Sequence, residues 1–212
     1  LKPQLLFLYS VSSIVYSPQY LTKLQRSYEA LNFCGLKLGF ITESQLATEK
    51  LPATKVIIVS GATHITDEAF SGLQKFIENG GQVVFIGDNC LAYNEYNKDR
   101  KVAIKPALNL VADIQAKELC SQIMKMATVY KWKLWRPIEV VENGKPAWGV
   151  EYLVAQDKAR LIINLVNYTT AQKTIQVLID GKPATVRNLL NGAQLNTLSL
   201  APLEPALVEV EM

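Results

Sequence analysis

"KVIIVSGATHITDEAFSGLQKFIENGGQVVFIG" (residues 55–87) decides the fold. Two apolar runs, each ending at a glycine (Gly61 and Gly87), enclose a segment with helical spacing. Thr66 stands where a helix N-cap is wanted, and Asp67 and Glu68 suit the positive end of the helix dipole. Ile65 and Phe70 have the spacing of a hydrophobic staple. Ala69, Phe70, Leu73, Phe76 and Ile77 form one buried stripe, and Gly80-Gly81 end the helix. Continuous apolar strands on either side of an amphipathic helix predict a βαβ crossover, in a parallel sheet covered on both faces.

Toward the N-terminus the same alternation continues. "LLFLYS" (5–10) and "KLGFIT" (37–42) read as two further strands. Between them Ser17 can cap a helix, Pro18 suits its first turn, and Gly35 its end. Its buried stripe is Tyr20, Leu21, Leu24, Tyr28 and Leu31. Beyond residue 92, "YNEYNKDRKVAIKPALN" carries no clear period. A helix over about 114–131 follows, with Leu119, Ile123, Met126, Ala127 and Tyr130 on one face. From residue 138 the period becomes two. "RLIINLVNY" (160–168) turns Leu161, Ile163 and Leu165 one way, and "KTIQVLID" (173–180) buries Ile175, Val177 and Ile179. Asn143-Gly144, Asp180-Gly181 and Asn191-Gly192 are hairpin signals. The expectation is an α/β flavodoxin-like parallel sheet domain at 1–136, then an antiparallel β-sandwich of about seven short strands at 137–212.

Composition narrows the function. Of 212 residues, 49% are hydrophobic and 19% charged, which excludes a disordered chain. A net charge of +3 with scattered basic residues argues against nucleic acid; "KWKLWRP" (131–137) is the one dense basic and aromatic run. No stretch has the length and apolarity of a membrane span. The opening "LKPQLLFLYSVSSIVYS" lacks a small-x-small cleavage site and reads as a buried strand. Its start at Leu suggests a piece of a longer protein. Cysteines 34, 90 and 120 are widely spaced and odd in number, so a disulfide framework is not expected. With a single histidine the common zinc patterns fall away, and no metal or cofactor site is expected. The compartment stays open.

Cys90 lies just past the fourth strand, where a class I glutamine amidotransferase-like sheet puts its nucleophile. Such a thiol needs a base and a glycine-lined elbow. Gly87 precedes Cys90 by three residues, and Leu91-Ala92 follow in place of a glycine. His64 is the one available base, and it comes before Cys90 rather than after it. Cys90 and His64 are therefore weak catalytic candidates, and the balance favours no catalytic residue in this chain. Glu43, Asp67, Glu68, Asp88 and Glu95 fall near strand ends, without the spacing of a glycosidase pair. "GATHITDE" is not a phosphate loop. Trp132, Trp135 and Trp148 are candidates for carbohydrate or interface contacts. Asn167-Tyr168-Thr169 is a formal glycosylation sequon.

The stretch "LPATKVIIVSGATHITDEAFSGLQKFIENGGQVVFIG" (51–87) resembles the trimerisation domain of family 42 beta-galactosidases, an amidotransferase-like sheet without amidotransferase machinery. "WGVEY" (148–152), "ARLIINLVNYT" (159–169), "VRNLLNGAQL" (186–195) and "LSLAPLEPALVEVEM" (198–212) resemble the terminal β-sandwich of the same enzymes. The resemblance implies a non-catalytic C-terminal accessory and assembly region of a glycoside hydrolase. It implies as partners a catalytic TIM-barrel domain of the parent chain and further copies in a homo-oligomer. The family's catalytic glutamates belong to that barrel and fall on no position here. Two alternatives stay beside it: a stand-alone carbohydrate-binding module, and a hydrolase or amidase using Cys90.

Overall fold

A computed structural model describes residues 2–48, 54–132 and 134–211. Residues 51–53 of the quoted stretch, Lys133 in the basic and aromatic run, and Met212 at the finish lie outside the described residues. The chain divides into two compact units: Lys2–Leu31 with Lys37–Leu134, and Asn32–Leu36 with the chain from Trp135 onward.

In the α/β unit the order is β1 (Leu5–Tyr9), α1 (Val11–Tyr16), α2 (Tyr20–Asn32), β2 (Leu38–Thr42), α3 (Glu43–Thr48), β3 (Val56–Ser60), α4 (Asp67–Glu78), β4 (Gln82–Ile86), β5 (Leu108–Leu110) and α5 (Ala116–Val129). The strands form one sheet of order β2-β1-β3-β4-β5, every neighbouring pair parallel. This is the flavodoxin-like plan expected, with a fifth strand that the polar stretch after residue 92 concealed. Leu5, Phe7, Leu8, Ile57, Ile58 and Val84 are fully buried, as strands covered on both faces must be.

Local capping chemistry sets the helix boundaries. Thr66 is extended and its hydroxyl accepts from the Ala69 N–H at 3.2 Å. Ile65 and Phe70 are both buried. Ser17 does not cap α2; it closes α1, its N–H donating to the Ser13 carbonyl. Ser10 caps α1 instead, accepting from the Ser13 N–H at 2.9 Å. On α2, Tyr20, Leu24 and Leu31 are buried but Leu21 faces solvent, as does Tyr130, the residue that caps the end of α5. Gly72 of α4 is required by packing: a Cβ there would lie 1.9 Å from the Leu46 carbonyl oxygen of α3.

The second unit contains β6 (Glu139–Glu142), β7 (Lys145–Pro146), β8 (Val150–Asp157), β9 (Arg160–Asn167), β10 (Lys173–Ile179), β11 (Lys182–Ala184), β12 (Val186–Asn188), β13 (Gln194–Leu195), β14 (Leu198–Leu200) and β15 (Pro205–Glu211). One sheet runs β11-β10-β6-β7 with β14 also on β10, and the other β13-β12-β15-β9-β8. Their pairings are antiparallel. The core between them takes Val150, Val154, Leu161, Ile163 and Leu165 from one sheet, and Ile175, Val177 and Leu198 from the other strands. Asn143-Gly144 and Asp180-Gly181 both have positive φ at each residue, as a type I′ hairpin requires. At Asn191-Gly192 only the glycine does. Cys34 and Cys120 are disulfide-bonded and Cys90 is the free thiol. That corrects the expectation drawn from odd count and wide spacing: an odd count still leaves two thiols to bond, and spacing along the chain does not forbid a bridge.

Candidate functional site

In a sheet of this order the strand direction of building reverses between β1 and β3, and the crevice at their carboxyl ends is where such folds hold ligands. Here the chain's own groups fill it. Glu43, at the start of α3, is buried. Its carboxylate accepts from the Val11 N–H at 2.9 Å, the Ser12 N–H at 3.2 Å, the Thr66 N–H at 3.0 Å and the Ser10 hydroxyl at 3.3 Å. One side chain thereby satisfies the orphan amides at the N-terminal ends of two helices, α1 and α4. The Ser13 hydroxyl donates to the His64 carbonyl at 2.8 Å, the single Ser10 hydroxyl proton is shared between that carbonyl (2.8 Å) and Glu43, and the His64 N–H donates to Ser13 Oγ at 3.0 Å. Tyr20, also buried, donates its hydroxyl to the Leu8 carbonyl and accepts from the Ser10 N–H.

The His64 imidazole is committed elsewhere than to Cys90. It lies between Tyr16 and Tyr93, with ring centroids 4.5 and 4.9 Å away. Nδ1 is 2.9 Å from Thr63 Oγ1 and Nε2 is 2.9 Å from Asn97 Oδ1. A proton on Nε2 satisfies both contacts.

Cys90 turns its sulfur toward the carbonyls of Gly87 (3.4 Å), Ile86 (3.7 Å) and Val59 (3.8 Å). Burial pushes its thiol up to about 11, because a thiolate there would lose its hydration and face acceptors. The backbone reverses on both sides, at Asn89 (φ 53°) and Leu91 (φ 57°). An elbow nucleophile draws its oxyanion hole from the N–H of the following residue. That N–H, on Leu91, already donates to the Ala62 carbonyl at 2.9 Å. The sulfur faces carbonyl acceptors, and the imidazole and the Leu91 amide are each hydrogen-bonded to groups other than Cys90.

The acidic residues separate into caps and surface charges. Glu95 accepts from the Asp67 N–H at 3.0 Å, extending the capping of α4. Asp67 pairs with Arg100 at 2.6 Å, and that guanidinium also lies 4.2 Å over the Phe70 ring and donates to the Ile65 carbonyl. Glu68 and Asp88 are exposed. Among the described residues no group of three His, Cys, Asp or Glu is placed to hold a metal ion.

The tryptophans fall in different units. Trp132 stacks on Tyr130 in the α/β unit. Trp135 packs on the sandwich core, and Trp148 meets Phe33 edge-on at 5.4 Å. The Asn167 sequon is closed by structure. Its side chain is fully buried, donates to the Ala171 and Leu200 carbonyls, and accepts from the Thr169 N–H and hydroxyl. No sequence signal pointed to Ser10, Ser13, Tyr16, Tyr93 or Asn97 as partners of His64.

At this same end of the sheet, Val11, Val15 and Tyr16 of α1 and Tyr96 are exposed. Tyr16 donates to the Glu95 carbonyl, joining α1 to the Tyr96 loop.

The matches among solved structures cover both units. An exo-carrageenase of the GH42 family from Bacteroides ovatus superposes on 99% of the chain with a TM-score of 0.81 and 23% identity. This chain has the fold of part of a GH42 glycoside hydrolase. A GH42 beta-galactosidase of G. stearothermophilus matches 100% of it (TM-score 0.72, 12% identity), and a beta-galactosidase of Bacillus circulans sp. alkalophilus 98% (TM-score 0.63, 13% identity). The chain spans 29% of the carrageenase and 41% of each beta-galactosidase. No family model and no curated protein sequence matches it.

Proposed function

We propose that the chain is a non-catalytic accessory and assembly region of a glycoside hydrolase. In this role residues 1–136 form an amidotransferase-like trimerisation domain and 137–212 a terminal sandwich, working beside a catalytic TIM barrel. One observation carries the proposal: the switch-point crevice is plugged by Glu43, Ser10, Ser13 and His64, while apolar Val11, Val15 and Tyr96 stand exposed at the same end. A ligand site would show the reverse, an open crevice with convergent, uncommitted polar groups and a solvated rim. An exposed apolar cluster on a rigid scaffold is suited to a protein partner. The fold match to a fraction of GH42 enzymes supports a glycoside hydrolase as the parent.

The test uses the parent hydrolase and the chain alone. Val11→Asp with Val15→Asp should lower the particle mass of the parent in sedimentation velocity while its circular dichroism stays unchanged. An unchanged mass defeats the assembly role. Hydrolysis of nitrophenyl glycosides or glutamine by this chain alone, lost on Cys90→Ala, defeats the non-catalytic one.

A further inference from the structure

At the amino-terminal edge of the parallel sheet, opposite the plugged crevice, lies a cleft of about 530 Å3. Its walls include Gln4 before β1, Lys55 before β3, Gln82 at the start of β4, and Tyr130, Lys131 and Trp132 after α5. Such a volume takes a di- or trisaccharide. Tyr130 and Trp132 present nearly parallel rings (19°) with centroids 6.0 Å apart, and Tyr130 is exposed. Stacked on one another, they offer an outer aromatic face suited to the C–H face of a pyranose.

The residue between them sharpens the case. Lys131 has φ 53°, in the left-handed region. Its N–H bonds the Thr128 carbonyl and the Trp132 N–H bonds that of Ala127, the pattern of a Schellman cap. Glycine is the residue that position favours, and a lysine there is strained. The strain brings the two rings to one wall and sets a cation at the lip. Lys55 supplies a second exposed cation. Among the described residues neither is ion-paired, and no carboxylate lines the cleft. Two donors of the wall, Gln4 Nε2 and Trp132 Nε1, have no hydrogen-bond partner among the described residues and are shielded from water. An outward swing of the Gln4 amide would bring its Nε2 to a ligand oxygen and satisfy a group that is expensive to leave unpaired.

We propose that this cleft binds a short anionic saccharide, a pyranose carrying a sulfate or carboxylate group, with the ring on Tyr130 and Trp132 and the anion between Lys55 and Lys131. The site stands apart from the assembly role, so either can fail without the other.

The experiment titrates the full chain with a sulfated galactan tetrasaccharide, a galacturonate tetrasaccharide and a neutral galactan tetrasaccharide, by calorimetry and tryptophan fluorescence. At least one anionic ligand should bind about tenfold tighter than the neutral one, with the preference shrinking as salt rises; which of the two leads identifies the anion. Trp132→Ala should weaken binding by about tenfold or more, and Trp148→Ala should not. Lys131→Gly is the decisive variant because it relieves backbone strain. Its thermal midpoint should hold or rise while affinity for the anionic ligand falls about three- to tenfold. Equal affinity for charged and neutral ligands, no binding of any at 10-millimolar concentration (roughly the weakest range worth titrating), tighter binding of adenosine monophosphate, or Lys131→Gly binding like the native chain would each overturn the proposal.

Discussion

Replacing Glu43 by alanine should open the crevice at the sheet's carboxyl end and cost more than a surface charge ever could. The carboxylate receives three backbone N–H groups, from Val11, Ser12 and Thr66, and one hydroxyl. Hydrogen bonds to a charged acceptor contribute about 1.5–3 kcal/mol each, and water entering the vacated space recovers a part. The expected loss is therefore about 3–5 kcal/mol, a large share of the ~5–15 kcal/mol that holds a typical domain. Glu43→Gln keeps one acceptor oxygen but turns an NH2 toward the helix amides, for an expected loss of about 2–3 kcal/mol. All five described α-helices begin in the α/β unit, so urea unfolding followed at 222 nm reports on that unit. A small carboxylate should then rescue the alanine variant. With a dissociation constant of about 20 mM, formate at ~0.2 M restores about 1.4 kcal/mol through mass action, and sodium chloride at equal ionic strength does not. A loss below about 1 kcal/mol, or equal effects of formate and chloride, would mean that Glu43 is a solvated rim charge and that nothing plugs the crevice.

Three further perturbations follow from the same geometry. Gly72→Ala drives a methyl into the Leu46 carbonyl and should destabilise the α/β unit by about 2–4 kcal/mol; a melting temperature within a degree of the native one refutes the α3–α4 contact. The Cys90 thiol, pushed up to about 11 by burial, keeps its proton in the folded chain after the unfolded chain has lost it. Stability tied to it is thus complete below about pH 9 and lost as pH rises toward about 11, by up to ~2–3 kcal/mol. Urea titrations of the native chain and Cys90→Ser across pH 8 to 11.5 (about the range spanning both states) isolate this from Tyr20, which burial raises to about 12. Parallel curves would remove it. Asn167→Asp sets a carboxylate against the Ala171 and Leu200 carbonyls and should cost the sandwich about 3–5 kcal/mol at neutral pH, measured by thermal unfolding; a loss under ~1 kcal/mol contradicts the buried network.

Much of the architecture was legible because it is written in local periods. The α4 segment announced its cap, stripe and stop within residues 65–81, and β9 alternated faithfully, Leu161, Ile163 and Leu165 all being fully buried. Three elements hid. The β-branched and serine-rich "VSSIVY" reads poorly as a helix, yet it is α1, held by Ser10 and by a glutamate 32 residues away from Val11. The β5 strand, only three residues long, has no period of its own and exists through its pairing with β4. Glu43–Thr48 is too short to announce itself and packs against α4 through a missing side chain at Gly72. The candidate site was harder still. His64 and Cys90 were visible as residue types, but what decides their chemistry is which neighbours took their hydrogen bonds first. Thr63, Asn97 and Ala62 are named by tertiary structure alone. Tyr130, read as a core residue of α5, lies outside because the helix ends there and the chain reverses at Lys131.

The Asn167 amide has a practical consequence for producing this protein. In a eukaryotic secretory host, oligosaccharyl transfer acts on the emerging polypeptide before β9 and β14 have met. A sugar tree attached at that moment could not enter the space between the Ala171 and Leu200 carbonyls, and the sandwich would never close. Yield from such a host would then depend on a race between enzyme and folding, a race that bacterial expression does not run.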